Sequence, residues 1–276
     1  MRTLAARFAG YAILVFFSLV FLYPFVIQIA NSFKTEADAS ANPLSPIPHP
    51  FTTASMSRIF DGTDFPTWLG NSILVTVVVT VARVLFSAMA GYALSRLRFP
   101  GRRTLFAAMI GLMAVPGVVL LIPKFLVLNQ LGLYNSYAGL IVPIVADAAG
   151  VFIMKQFFDS VPASVEEAAR IDGASIFRTF WSVVLPTARP ALITLTILSF
   201  QGSWNDFGHS LVAVQDPSLF TLPRGLADLV SGSLGSGNQY PLKLGAAMLA
   251  TIPVAIIFVI FQRYFVRDAN EGAEKG

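Results

Sequence analysis

Three groups of polar residues interrupt the long apolar runs of this chain, and all three suit non-covalent chemistry. The first is Ser164-Val-Glu-Glu-Ala-Ala-Arg-Ile-Asp-Gly-Ala174, followed by Val184-Leu185-Pro186. It is charged and periodic between apolar stretches, so it must lie outside a bilayer. The second is Arg83 and Asp147, single charges inside apolar runs. Charges at that depth are costly and mark either packing pairs or pathways. The third is Gln201, Ser203, Trp204, Asn205, Asp206 and His209, which combines an aromatic ring with amide and carboxylate groups that exchange hydrogen bonds with hydroxyls. Covalent chemistry has no equipment here. There is no Ser/His/Asp set, no Gly-x-x-x-x-Gly-Lys-Ser/Thr loop for phosphates, and no cysteine for a disulfide or a thiolate metal site. His209 has no second His or carboxylate at ligand spacing, which argues against a metal.

Helix signals position the first group. Ser164 with Glu167 three residues on forms a capping-box pattern, in which the hydroxyl accepts an early backbone N–H and the carboxylate reaches back. Ala168, Ala169 and Arg170 are good helix formers. Gly173 supplies a left-handed residue that stops the helix. A second helix is expected from Ile176 to Val184, ending before Pro186 because the residue preceding a proline avoids the α region. The pattern predicts a short helix, a glycine corner and a second helix on one face of a membrane.

Composition sets that membrane context. Hydrophobic residues make up 55% of the 276 and charged residues only 12%, with mean hydropathy +0.69. Soluble domains carry about 25% charged residues, so the fold class expected is an all-α integral membrane protein. The net charge of +4 is too small and too dispersed for nucleic-acid binding. A span needs about 20 apolar residues, and six stretches qualify: 8–29, 73–94, 105–128, 138–158, 191–214 and 244–265. The first runs too long for a signal-peptide core and lacks a cleavage site. Connections on one side hold thirteen Lys and Arg residues against five on the other, with Arg83 inside a span. Both termini and the 164–186 loop are therefore expected to face the cytoplasm.

The first outer connection, 31–70, is rich in Pro, Ser and Thr and reads as an extended, turn-rich segment. Pro116-Gly117 and Pro123 are expected to kink the third span, either to line a pathway or for architecture alone. Counted from Asn71 and Ala138 on the same face, Arg83 lies 12 residues in and Asp147 9. That is a depth difference of roughly 5 Å, which an arginine side chain can cover. The expectation is a buried Arg83–Asp147 pair that fixes packing; the alternative places one or both on a pathway.

The motif Glu167-Ala168-Ala169, with Gly173 and Leu185-Pro186, resembles the EAA loop of ABC importer permeases. Val161-Pro162, the run Arg170-Ile171-Asp172-Gly173-Ala174, Asn71-Ser72, Tyr92-Ala93-Leu94-Ser95-Arg96, Phe99-Pro100-Gly101, Ile122-Pro123 and Trp204-Asn205 narrow the resemblance to carbohydrate-uptake permeases of the maltose-transporter type. Val183 stands where that family has Ile, and Glu274 where it often has an apolar residue. The resemblance implies a coupling helix that docks into an ATPase subunit through Glu166, Glu167, Ala168, Ala169, Arg170, Asp172, Gly173, Ala174, Leu185 and Pro186. It implies as partners an ATPase dimer, a second homologous permease, and an extracytoplasmic sugar-binding protein that meets the region after the fifth span. It implies no cofactor in this chain, since ATP and Mg would be bound by the partner ATPase. The organisation it implies is a first helix and outer connection over 1–70, a transport core over 71–265, and a cytoplasmic tail over 266–276.

Each group keeps a plainer reading. The EAA-like loop also fits a solvated connector, and Gln201, Trp204, Asn205 and Asp206 fit either a sugar path or an interfacial belt. The Gly/Ser run 231–237 fits a linker. The function expected is sugar import by alternating access. The rival is an ion-coupled secondary transporter with Arg83 and Asp147 as its ion site; a membrane enzyme lacks convergent catalytic groups.

Overall fold

The computed structural model describes the backbone of residues 4–231 and 239–273, and the side chains of 8–231 and 239–262. The expectations for 232–237, for the tail beyond 273 and for its Glu274 lie outside the described residues. Fifteen α-helices occur among those described: α1 (Leu4–Ser32), α2 (Glu36–Ala41), α3 (Ala54–Asp61), α4 (Phe65–Arg96), α5 (Arg102–Met113), α6 (Leu121–Gln130), α7 (Tyr137–Ile141), α8 (Ala148–Ser160), α9 (Ala163–Ile171), α10 (Ile176–Thr179), α11 (Leu185–Thr187), α12 (Arg189–Trp204), α13 (Gly208–Ala213), α14 (Leu222–Ser231) and α15 (Tyr240–Ala273). No strand occurs among the described residues.

Four stretches are long and apolar enough to cross a membrane: Phe8–Ser32, Phe65–Arg96, Tyr137–Ser160 and Tyr240–Gln262. Two bent pairs raise the number to as many as six: Arg102–Met113 with Gly117–Gln130, and Ile176–Thr187 with Arg189–Trp204. Side chains such as Phe16, Phe17, Leu19 and Phe21 in α1 are more than half exposed. Contiguous apolar surface of that kind is matched to lipid rather than water.

The chain divides into two compact units, Met1–Pro66 with Gly225–Pro253, and Thr67–Arg224 with Val254–Gly276. In the first, the connection expected to be extended contains α2 and α3. Thr35 caps α2 by accepting from the Asp38 N–H at 3.3 Å. The Lys34 ammonium is wholly buried and donates to the Asn42 and Ser45 carbonyls at 2.7 and 2.8 Å. A cap and a buried cation that ties the turn together outweigh the local preference of Pro and Ser for extended chain. The next helix, α4, begins at Phe65, earlier than the 73 expected.

The second unit centres on Ala88 and Tyr92 of α4, Met154 and Phe158 of α8, Phe180, Val184, Ala188, and Ala191 and Leu195 of α12. Lipid is as apolar as these side chains, so close packing rather than escape from water holds such helices together. Gly91 provides that closeness. A Cβ on it would stand 2.7 Å from the Met154 Cβ and 2.9 Å from the Lys155 backbone nitrogen.

Three spans differ from expectation. The third is broken more sharply than a kink at Pro116-Gly117, with a bend of 99° between its halves. α5 ends at Met113, Pro116 is extended (φ −60°, ψ 129°), and a 3-10 turn, Gly117–Leu120, leads into α6. Pro123 breaks nothing, because it sits in the first turn of α6, where an N–H has no intrahelical acceptor to lose. The fourth span is interrupted between Val142 and Asp147. The fifth ends at Trp204 instead of continuing to 214, and α13 is a separate short helix. Asn205, Asp206 and Gly208 cluster at that break, and such residues favour turns over helix interior.

Candidate functional site: the 163–187 loop and the polar end of α12

The first helix of the EAA-like loop starts two residues earlier than its capping pattern predicts. Pro162 is the N-cap of α9 and makes no side-chain cap bond, so the Ser164–Glu167 capping box is not formed. Pro162 itself is extended, at φ −59° and ψ 136°, and the helix begins at the residue after it. The C-terminal expectation for Gly173 holds, with φ +76°. The Ala174 N–H donates to the Ala169 carbonyl at 2.9 Å and the Gly173 N–H to the Arg170 carbonyl at 3.0 Å, the paired bonds of a Schellman stop. Ser175 then caps α10 by accepting from the Arg178 N–H.

The second helix does not end before Pro186. A π-turn, Phe180–Val184, runs directly into α11, and Leu185, next to the proline, is helical at φ −61°, ψ −40°. Wider i→i+5 bonding makes room for the ring and spares the missing N–H. The turn faces Phe180 and Val184 inward, and Tyr92 meets Phe180 at 5.0 Å between ring centroids.

One carboxylate fastens α9 to this core. Glu166 is buried, with Oε1 3.1 Å from the Arg96 Nε at the end of α4. The Tyr92 hydroxyl donates to its Oε2 at 3.4 Å, and Arg170 lies 3.6 Å from the same oxygen. Arg96 also donates to the Phe158 and Val161 carbonyls at the end of α8. The Arg96–Glu166 contact therefore joins α4, α8 and α9. It escapes a reading of local motif alone; the available signal is the three-residue spacing of Glu166 and Ala169, both on the inner face.

The outer face carries different chemistry. Glu167, Ala168, Arg170, Asp172 and Gly173 are exposed, and so are Ile171 (86%), Ile176 (56%) and Phe177 (68%). Ala174 and Leu185 are half-buried and Pro186 is exposed. Beside this face a cavity of about 360 Å³ opens between Met89 and Ala93 of α4, Leu97 just beyond it, and Ile176 and Phe177 of α10. Apolar side chains displayed among charges are the surface pattern of a protein contact.

The deep charges are not an ion pair. The Arg83 Nε donates to the Ile144 carbonyl at 2.5 Å, and the Asp147 carboxylate accepts from the Gly150 N–H at 2.8 Å as the N-cap of α8. No ion pair joins the two; each instead satisfies backbone freed by the break in the fourth span. Unpaired carbonyls and N–H groups at membrane depth compete strongly for such partners. A Cβ on Gly202 would lie 3.3 Å from the Arg83 Nη1, so the guanidinium sits beside the polar end of α12.

At that end Gln201 and Asp206 are half-buried and Asn205 is exposed. Trp204 is turned inward at 3% exposure and stacks on Phe200 at 5.7 Å. The Asp206 carboxylate accepts from the His209 N–H at 3.0 Å, just ahead of α13. The His209 Nε2 lies 3.0 Å from the Gly139 carbonyl, so its ring is engaged in packing. Among the described residues no group of three or more His, Cys, Asp or Glu could hold a metal ion.

Comparison with known proteins agrees with this architecture. Residues 83–271 match the family described as the inner membrane component of binding-protein-dependent transport systems. An arabinooligosaccharides transport system permease of Halalkalibacterium halodurans is 33% identical over 95% of this chain and 94% of its own. A sulfoquinovosyl glycerol transport permease of Agrobacterium fabrum is 33% identical over 92% and 89%. An sn-glycerol-3-phosphate transport permease of Yersinia pestis is 31% identical over 90% of both. A solved bacterial ABC transporter involved in import of the acidic polysaccharide alginate has a chain that superimposes with TM-score 0.82 at 28% identity, over 96% of this chain and 99% of that one. These likenesses support ATP-binding-cassette import and give none to ion coupling. With a multi-pass apolar fold and matches that span nearly its whole length, the chain belongs to the family of inner-membrane permease components of binding-protein-dependent transport systems.

Proposed function

We propose that this permease subunit imports a carbohydrate, a sugar, oligosaccharide or related polyol derivative, by alternating access. Carbohydrate and glycerol-phosphate substrates of the relatives support that substrate class. The observation that carries the mechanism is the two-sided 163–187 loop. Its inner face is fastened to α4 and α8 by Glu166, and its outer face displays Glu167, Arg170, Asp172, Ile171, Ile176 and Phe177. An ATPase that grips the outer face would move the helices attached to the inner one.

In this reading Glu166, Glu167, Ala168, Ala169, Arg170, Asp172, Gly173, Ala174, Leu185 and Pro186 form the coupling element. ATP and Mg are bound by a partner ATPase dimer, a second homologous permease completes the pathway, and an extracytoplasmic binding protein delivers the sugar. Each bent pair counts as one span, which makes six, with both termini and the coupling loop on the cytoplasmic side. The transport core occupies 71–265 and the cytoplasmic tail 266–276. Gln201, Asn205 and Asp206 line the substrate path, Trp204 backs them, and Arg83 reaches the same place past Gly202.

Purification from native membranes through a tag on this chain tests the assembly. An ATPase, a second permease and a binding protein should co-purify. Proteoliposomes of that assembly should accumulate a carbohydrate with ATP enclosed and all ion gradients collapsed. Uptake that follows an ion gradient and ignores ATP would overturn the mechanism. ATP-driven uptake of a non-carbohydrate only would overturn the substrate class.

A further inference from the structure

The turn between α4 and α5 forms a basic cavity of about 370 Å³ lined by Arg98, Phe99, Gly101, Arg102, Arg103 and Thr104. Arg102 is fixed by donating to the Ser95 and Leu97 carbonyls at 3.3 and 3.0 Å. Arg98 and Arg103 are exposed, and among the described residues neither is ion-paired to a carboxylate. The nearby Asp159 is already taken, accepting from Ser95 at 2.6 Å and from Lys155 at 2.5 Å. The arrangement is electrostatically uncompensated. Arg102 and Arg103 occupy the first turn of α5, where the helix dipole is positive, with no acidic residue in that turn and no side-chain cap. Three arginines line this one cavity, and guanidinium groups are suited to grip phosphate oxygens.

We infer that this cavity binds the phosphate headgroup of an anionic phospholipid. The turn joins the end of one membrane-crossing helix to the start of the next bent pair, so it lies at headgroup level. Phe99 and Leu105, 38% and 50% exposed, flank the arginines and offer apolar surface to the glycerol backbone and upper acyl chain. A free phosphate would use the arginines but not these side chains. Basic pockets between membrane helices at such an edge recognise anionic headgroups.

Native mass spectrometry of the detergent-purified full chain with added phosphatidylglycerol or phosphatidylcholine of identical acyl chains tests this inference. The wild type should retain phosphatidylglycerol in preference to phosphatidylcholine. Arg98→Gln with Arg103→Gln should weaken that binding by roughly thirtyfold. Arg58→Gln with Arg189→Gln, an equal loss of exposed charge elsewhere, should leave it unchanged. Circular dichroism of both double variants checks that helix content is kept. Equal binding of the two lipids, or equal weakening by both double variants, would overturn the site. Full displacement by millimolar inorganic phosphate would assign it to a soluble anion and overturn the lipid.

Discussion

The Glu166 carboxylate lies 3.1 Å from the Arg96 guanidinium, and with the Tyr92 hydroxyl it makes α9 an extension of α4 and α8 rather than a loose connector. Glu166 is buried and Arg96 largely so, with side-chain exposures of 5% and 14%. Removing one member of such a pair strands the other charge, at a cost of about 3–5 kcal/mol. Glu166→Ala should therefore lower the denaturation midpoint of the purified chain markedly. A double-mutant cycle with Arg96→Ala should give a coupling energy of about 1–3 kcal/mol. Additive losses would show that the contact does not hold the loop.

Glu167, one position on, should behave in the opposite way. It is exposed and has no ion-pair partner among the described residues. Glu167→Lys should change stability by no more than about 0.5 kcal/mol. In the reconstituted transporter it should abolish sugar-stimulated ATP hydrolysis, since inversion sets like charges against a basic docking group. Normal stimulation would take Glu167 out of the contact.

At Gly173 the backbone rather than space sets the limit. A Cβ there meets nothing within 4 Å, but φ is +76°. Gly173→Asn should retain coupling, because Asn tolerates the left-handed region. Gly173→Val should uncouple ATP hydrolysis from transport at a cost of roughly 1–2 kcal/mol or more. If Val and Asn behave alike, the Schellman stop is not what shapes the loop.

For Arg83 and Asp147, separate backbone roles predict independent effects. Asp147→Asn keeps an acceptor for the Gly150 N–H and should assemble normally, whereas Asp147→Leu loses the cap, about 1 kcal/mol. Arg83→Leu should add its own loss, and the double Leu variant should show the sum. Assembly yield on size exclusion reads the outcome, and rescue in the double variant would restore direct pairing.

Glycines separate by what surrounds them. Gly91→Ala drives a Cβ into the α8 backbone and should destabilise the chain by about 1–3 kcal/mol. Gly111→Ala, in α5 with nothing within 4 Å, should be neutral or stabilising by up to about 1 kcal/mol. Thermal denaturation of the two variants in the same detergent compares them directly.

Local physics was enough for a large part of this protein. Apolar length demands membrane-crossing helices because lipid offers no partner to a free N–H or carbonyl, and that follows from composition alone. Gly173 ends α9 because only a residue tolerant of positive φ fits there, a constraint carried by the residue itself. The charged 164–174 run likewise marked a short helix with a glycine stop, as α9 and Gly173 form it. What the sequence could not decide were contests between local preference and distant partners. Ser164 and Glu167 form a sound capping pattern, yet Pro162 starts the helix and Glu166 is drawn to Arg96 on another helix. Pro186 should stop a helix, yet a π-turn packed on Tyr92 carries it through. Arg83 and Asp147 have matching depth, yet the break at 142–147 exposes backbone groups that claim each of them first. Depth along a helix is local, whereas the direction a side chain takes depends on which unsatisfied group the rest of the fold brings within reach.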